Sequence, residues 1–353
     1  MRILVTSSGD INRTNPFIPQ LVRALAAHPD VETVLSGNRR FWDEPVDVDV
    51  VHQHWPEDFF GWARPTDEQL GALRRQLERW RERAPIVVTV HNYGAHYRDD
   101  ERMRRLYALV YASADGFIHR GQASVDDFAA RFPELAGRPL AIIPPGESAT
   151  FANTVSQDEA RDSLGVPRDA RVFLSLSRIR HFEELGLMFV GFRALRLPGK
   201  RLLVSTRSRR RDLEMPLLER LRLRLDARIL LNTGFIPPDR VQYWVNAADV
   251  VVIPRVKPLN SAGLSLGFSF GKVVAGPDSG VVGEILRATG NPTFDLRDRR
   301  SVASALARAS ALAADGLGAR NRLHAERHWN WSALADRHVA FFRDVAARAA
   351  ARR

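Results

Sequence analysis

The chain has no cysteine, which excludes disulfides, thiolate chemistry and cysteine-ligated metal. That composition suits a reducing compartment, and a cytoplasmic protein is the expectation. Lysine is nearly missing as well. Only Lys200, Lys257 and Lys272 stand among 52 basic residues, so arginine carries almost all the cationic charge. Nowhere do about 18 apolar residues follow one another, so no membrane-spanning helix is expected. The opening "MRILVTSSGD" has one basic residue and an apolar run of four, too short for a signal-peptide core. Zinc-finger spacing, a basic zipper and an aromatic-rich RNA-binding signature are all lacking. Nucleic acid is therefore not an expected partner, despite a net charge of +11. The charge fits either arginine-biased codon usage or an anionic partner such as phosphate groups or acidic lipid.

What is present is apolar material for two cores. A length of 353 residues at 45% hydrophobic exceeds one ordinary core and suits two domains. In the first half, short apolar runs predict strands over 2–7, 31–36, 48–55 and 85–92, and in "ADGFIHR" and "LAIIPPG". A helix opens at Asn15-Pro16, with Asn as cap and Pro in the first turn, and a strongly patterned one covers 67–84. Such alternation predicts an α/β fold, a parallel sheet wrapped on both faces. Residues 144–171 are rich in Pro, Gly, Ser and charge, and read as a linker. The alternation then restarts, with strands over 172–177, 201–206, 228–234, 249–254 and 272–277 and helices over 183–196, 212–225, 238–247 and 263–270. The expected domains are 1–147, a linker over 148–170, 171–328, and a closing helix over 329–353. A ligand is expected between them, where strand C-termini open onto a shared crevice.

Strand-end loops are where such folds keep their chemistry. Gly9 follows the first strand and lets backbone approach a ligand, although "SSGDINRTNP" holds no G-x-G-x-x-G fingerprint. "HQHWPEDFFGW" places His52 and His54 on one side of a strand end, with Trp55 and Glu57 after them. No third ligand at zinc spacing stands nearby, so no metal is expected. The group reads instead as a lining for a polyhydroxylated ligand. "TVHNYGAHYRDDE" adds His91, Asn92 and His96 on the next strand end. In the second half, "FLSLSRIRHFEELG" opens a strand onto Arg178, Arg180 and His181, an anion loop followed at once by Glu183 and Glu184. Asn260 and Ser261 suit a helix cap, and Gly263 leaves room in a first turn whose N–H groups favour an anion. Glu284 follows a second glycine loop. The helix over 67–84 carries Arg74, Arg75, Arg79, Arg81 and Arg83 beside Trp80 and leucines, a pattern open to an anionic membrane surface or to plain solvent.

On these motifs the chain resembles the GT-B glycosyltransferases, in particular the large family 4-like group with its bacterial surface-polysaccharide and mannosyltransferase-like members. "NPFIPQLVRAL", "VHQHWPE" and "VVTVHNYGAH" are similar to its N-terminal segments. "NSAGLSLGFSFGKVVAGPDSGVVGEI" and "HWNWSALADRHVAFF" are similar to its donor segment and closing helix. The resemblance implies two facing Rossmann-like domains, the first binding acceptor and the second binding a nucleotide-diphosphate sugar. It implies that His91 contacts the transferred sugar, Arg178 the donor diphosphate and Glu284 the nucleotide ribose. Arg180, Asn260, Ser261, Gly263 and Gly9 then complete the donor contacts, while His54, Trp55 and His96 line the acceptor side. Glu57 is the candidate base there, with His54 or Asp10 as alternatives. The implied reaction moves a hexose of mannose or glucose type, with GDP-mannose among the candidate donors. The acceptor is a carbohydrate or lipid-linked saccharide, and neither a metal nor another cofactor takes part.

Three departures accompany the resemblance. The family's Lys-Gly pair after the arginine loop is replaced by Glu183 and Glu184, its Pro-His-Gly by "PPG" at 144–146, and its glutamate pair by Pro258 and Leu266. A carboxylate close to a diphosphate repels it by roughly 1–4 kcal/mol. A noncatalytic GT-B-like partner or regulatory protein is therefore the alternative expectation, and retention against inversion is left open.

Overall fold

The structure, a computed structural model, describes residues 1–7, 16–43, 45–95, 100–176, 182–205, 225–257 and 259–352. The chain divides into two compact units, Met1–Gly146 with Trp329–Arg353, and Glu147–His328.

In the first unit the short apolar runs form a six-stranded parallel sheet: β1 (Arg2–Val5), β2 (Thr33–Ser36), β3 (Val50–Gln53), β4 (Ile86–Thr89), β5 (Gly116–His119) and β6 (Leu140–Ile142). Its strand order is β2-β1-β3-β4-β5-β6. Strands β3, β4 and β5 are buried along their whole length, as strands of a sheet covered on both faces are. The helices are α1 (Phe17–Ala26), the short α2 (Asn38–Trp42), α3 (Asp67–Arg83), α4 (Glu101–Ser113) and α5 (Gln122–Arg131).

Helix α3 shows how local sequence sets its start. Thr66 accepts from the Gln69 amide at 3.1 Å while the Gln69 side chain accepts from the Thr66 amide at 2.8 Å, a complete capping box. Leu70, Leu73, Leu77 and Trp80 turn inward, and the Trp80 indole donates to the Phe41 carbonyl at 2.9 Å. The tryptophan and leucines of the basic helix are thus core, and its arginines and glutamates are exposed. We predict that Thr66→Ala costs about 1 kcal/mol. A lower urea midpoint at unchanged slope would register that loss, and an unchanged midpoint would refute it.

The second unit repeats the alternation. The stretch expected as linker contains helix α6 (Gln157–Leu164), capped by Ser156 and packed on a later helix. Five strands and a short sixth follow: β7 (Arg171–Leu176), β8 (Lys200–Ser205), β9 (Ile229–Asn232), β10 (Val250–Val252), β11 (Val273–Pro277) and β12 (Thr293–Phe294). They pair in the order β12-β11-β10-β7-β8-β9. Its helices are α7 (Phe182–Ala194), α8 (Pro238–Ala247), α9 (Ala262–Ser269), α10 (Gly280–Ala288), α11 (Arg299–Ala314) and α12 (Leu317–His328). The expected helix over 212–225 lies outside the described residues, apart from Leu225. The core of this unit packs Phe173, Phe192, Val204, Val250 and Val273 against Val302 and Leu306 of α11.

The last helix, α13 (Trp331–Ala350), belongs to the first unit. Its Leu334, Val339, Phe342 and Val345 join Ile3, Val5, Leu21 and Ile118 in one core. Gly116 and Gly146 are where this helix approaches most closely. A methyl on Gly116 would meet Val345 at 2.8 Å, and one on Gly146 would meet the Trp331 ring at 2.1 Å. The glycine of "PPG" is thus required by packing.

The two sheets differ in a way that matters for function. In the first, the order reverses between β1 and β3, and in the second between β7 and β10. Ligands of open α/β sheets bind outside the strand C-termini at such a switch point.

Candidate functional site

At the switch point of the first unit, the end of β3 carries a histidine cluster. His52 and His54 lie on one face, as period-two alternation dictates, with ring centroids 4.3 Å apart. His52 Nε2 is 2.8 Å from the Thr89 hydroxyl on β4. His54 Nδ1 is 3.1 Å from His91 Nε2, just beyond β4. Trp55 stacks flat on His91 at 4.0 Å and 15°, while Phe17 of α1 meets His54 and His91 edge-on at 5.7 and 5.6 Å. The sequence-predicted residues His54, Trp55 and His91 are therefore one packed group.

Three contributors were not predicted. Arg120, at the end of β5, places its guanidinium 4.5 Å over the Phe17 ring and donates to the Ile143 and Pro144 carbonyls. Among the described residues no carboxylate pairs with it, and burial pulls it down to about 9. Its place at a strand end, in "FIHRG", was the available signal. His338 of α13 donates Nδ1–H to the Leu334 carbonyl at 2.6 Å and lies 5.8 Å, ring to ring, from His52. No local pattern could have joined it to residues almost three hundred positions earlier. Trp331 packs on Phe17 and donates to Gln20.

Burial governs the charge of this cluster. Desolvation first, then neighbouring histidines and Arg120, hold His52 and His54 well below the ordinary histidine value. The same burial takes His338 to about 3, and it takes His119, which bonds the Ser124 hydroxyl, to about 4. Each of these imidazoles is neutral at pH 7.

Glu57, the candidate base, is buried in the same unit. It sits in the 3-10 turn Pro56–Phe60, only 2% exposed, and its Oε2 accepts from the Tyr107 hydroxyl at 2.6 Å. Burial and this carboxylate push the Tyr107 hydroxyl well above its ordinary value. The bond braces the turn against α4. Gly9, Asp10 and His96 lie outside the described residues.

In the second unit, Arg178 and Arg180 also lie outside the described residues. What is described is the frame around them. Ser261 stands at the N-cap of α9 in extended conformation, with no hydrogen bond from its side chain to the first turn. Asn260, Ser261 and Gly263 are half-buried, and a methyl on Gly263 would reach nothing nearer than 3.5 Å. Glu284 is half-buried on α10, which opens at Gly280 with φ 58°. Glu184, the residue expected to repel a diphosphate, is 1% exposed and bound by Arg255 at 2.8 Å. Arg255 follows β10 and Glu184 follows β7, so the pair bridges the two strands of the switch point. The charge is neutralised inside the protein, and only Glu183 remains exposed.

Among solved structures, the chain is similar over its whole length to several proteins. Sucrose-phosphate synthase from Thermosynechococcus elongatus is 19% identical with a TM-score of 0.70, covering 99% of this chain and all of that one. HepE of Anabaena, in complex with UDP-glucose, is 13% identical with a TM-score of 0.71 and the same coverage. A glycosyltransferase from Rickettsia africae is 11% identical with a TM-score of 0.69, covering 98% of both chains. The fold is GT-B. The GT-B expectation from the sequence is met by both parallel six-stranded sheets and by this full-length similarity. No family model matches the sequence, and comparison with curated proteins gives no match.

Proposed function

We propose that this protein is a glycosyltransferase that moves a hexose from a nucleotide-diphosphate sugar to a saccharide or lipid-linked acceptor. The observation that carries the reading is the full-length GT-B likeness, which includes a neighbour holding UDP-glucose. The site chemistry agrees with it. The start of α9 and the arginine loop would stabilise the negative charge developing on the leaving diphosphate, with no step assigned to a metal. His91, clamped by His54, Trp55 and Phe17, would orient the sugar. Within this reading Arg178 and Arg180 hold the diphosphate, and Glu284 meets the nucleotide. Mannose or glucose as the transferred group, and GDP-mannose as donor, remain proposals of the same kind.

The noncatalytic alternative keeps one specific support, the exposed Glu183 at the start of α7. A thermal-shift screen with UDP-glucose, ADP-glucose and GDP-mannose separates the two. One nucleotide sugar at 100 times its dissociation constant should stabilise the fold by about 2.7 kcal/mol. Arg178→Ala should remove most of that gain. No shift with any of them at millimolar concentration would favour the noncatalytic reading.

A further inference from the structure

The His54–His91 pair permits a proton count. Its nitrogens, His54 Nδ1 and His91 Nε2, are 3.1 Å apart, so one donates and the other accepts. His54 is 2% exposed, and its second nitrogen, Nε2, is buried with no hydrogen-bond partner among the described residues. Two arrangements follow. If Nδ1 carries the proton, it donates to His91, and only a bare lone pair is left at the buried Nε2. If Nε2 carries it, an N–H is stranded in the interior, and His91 must supply the shared proton. Stranded buried N–H donors are rarer in proteins than under-used acceptors. Among the described residues, the charged group nearby is the Arg120 guanidinium, and the other titratable neighbours are His52 on β3 and His338 on α13. None is an acid that would favour a proton on Nε2, and the positive charge opposes a second proton on the ring.

We infer that His54 is a positioning residue that fixes the tautomer of His91, leaving His91 with its proton on Nδ1 as a neutral hydrogen-bond donor. The Trp55 stack at 4.0 Å and the Phe17 edge contact at 5.6 Å hold the plane of the ring, and a 180° flip within that plane would replace Nε2 by a carbon and lose the bond to His54. His91 then meets an oxygen of the sugar as a donor and does not serve as a base. That last step rests on the proposed transferase function, whereas the tautomer itself does not.

The test is a long-range ¹H–¹⁵N spectrum of the full chain labelled with ¹⁵N-histidine, with His91 assigned by its disappearance in His91→Gln. In the unaltered protein at neutral pH, His91 should show a protonated Nδ1 and an unprotonated Nε2. The opposite pattern, or two interconverting tautomers, overturns the inference without any variant and without an activity assay. His54→Asn, whose amide can donate from the Nδ1 position, should keep the pattern. His54→Phe should lose it and show a mixture of both tautomers. An unchanged His91 spectrum in a folded His54→Phe protein would also overturn it. Nucleotide-sugar binding measured on the same samples reports separately on the transferase reading.

Discussion

Acidification from about pH 7.5 to about 5.5 is expected to unfold the first unit, or bring it close to unfolding, with a loss on the order of 5 kcal/mol. The sign follows from four buried imidazoles. His52, His54, His119 and His338 are all held below the ordinary histidine value in the folded chain. In the unfolded chain they titrate near the ordinary value of about 6.5. Above that pH both states are neutral and stability is flat. Below it the unfolded state takes up protons that the folded state refuses, and each histidine subtracts about 1.4 kcal/mol per pH unit. The environment offers no relief. Arg120 faces the cluster from β5, Arg337 adds charge beside His338 on α13, and among the described residues no carboxylate is hydrogen-bonded to these four rings. Urea midpoints measured across this pH range should fall steeply below about 6.5. His338→Leu should reduce the pH dependence by about one proton, a quarter of the effect. A midpoint that stays level through this range would show that the cluster is protonated or solvated in the folded state.

Removing one partner of the Glu184–Arg255 bridge is the second large effect. The carboxylate is 1% exposed and the guanidinium 8%, so removing Glu184 leaves the Arg255 charge buried without its carboxylate. Glu184→Ala should cost about 3–5 kcal/mol. Replacing both residues, as Glu184→Leu with Arg255→Met, should recover much of that loss, since an apolar pair needs no desolvation. Hydrogen exchange would localise the damage to the ends of β7 and β10, which the bridge ties together. The same pair bears on the donor site. Seen from a diphosphate, the bridged pair sums to almost no charge, so removing both charges together, as Glu184→Leu with Arg255→Met, should change donor affinity by less than about twofold. A change of about tenfold in that double variant would mean that the two charges act on the donor separately.

The cost predicted from sequence for Glu184 was sound chemistry applied to an incomplete neighbourhood. Its partner lies 71 positions away and comes near only because β7 and β10 pair in parallel across the switch point. Glu57 illustrates the same limit. An acidic residue after a strand-end histidine is a fair candidate base, yet the turn at Pro56 aims it at Tyr107 on a helix fifty residues later. His52 and His54, by contrast, were placed on one face correctly, since that depends only on the two-residue period of a strand.

Element type was legible wherever the apolar pattern was strong. The Val/Ile runs of β3, β4, β10 and β11 and the leucine stripe of α3 fall where periodicity put them. Helix α11 was missed because small or polar residues, Ala305, Ala309 and Ser310, share its inward positions with Val302 and Leu306 and weaken the pattern. The sequence by itself determined the α/β class, the GT-B resemblance and the strand-end histidines, because alternation and strand ends are local properties of a chain. Only the tertiary structure decided the strand order of each sheet, the buried charge pair at the second switch point and the joining of His338 and Arg120 to the first. Those depend on which distant segments the folded chain brings within a few ångströms, and no local pattern records that.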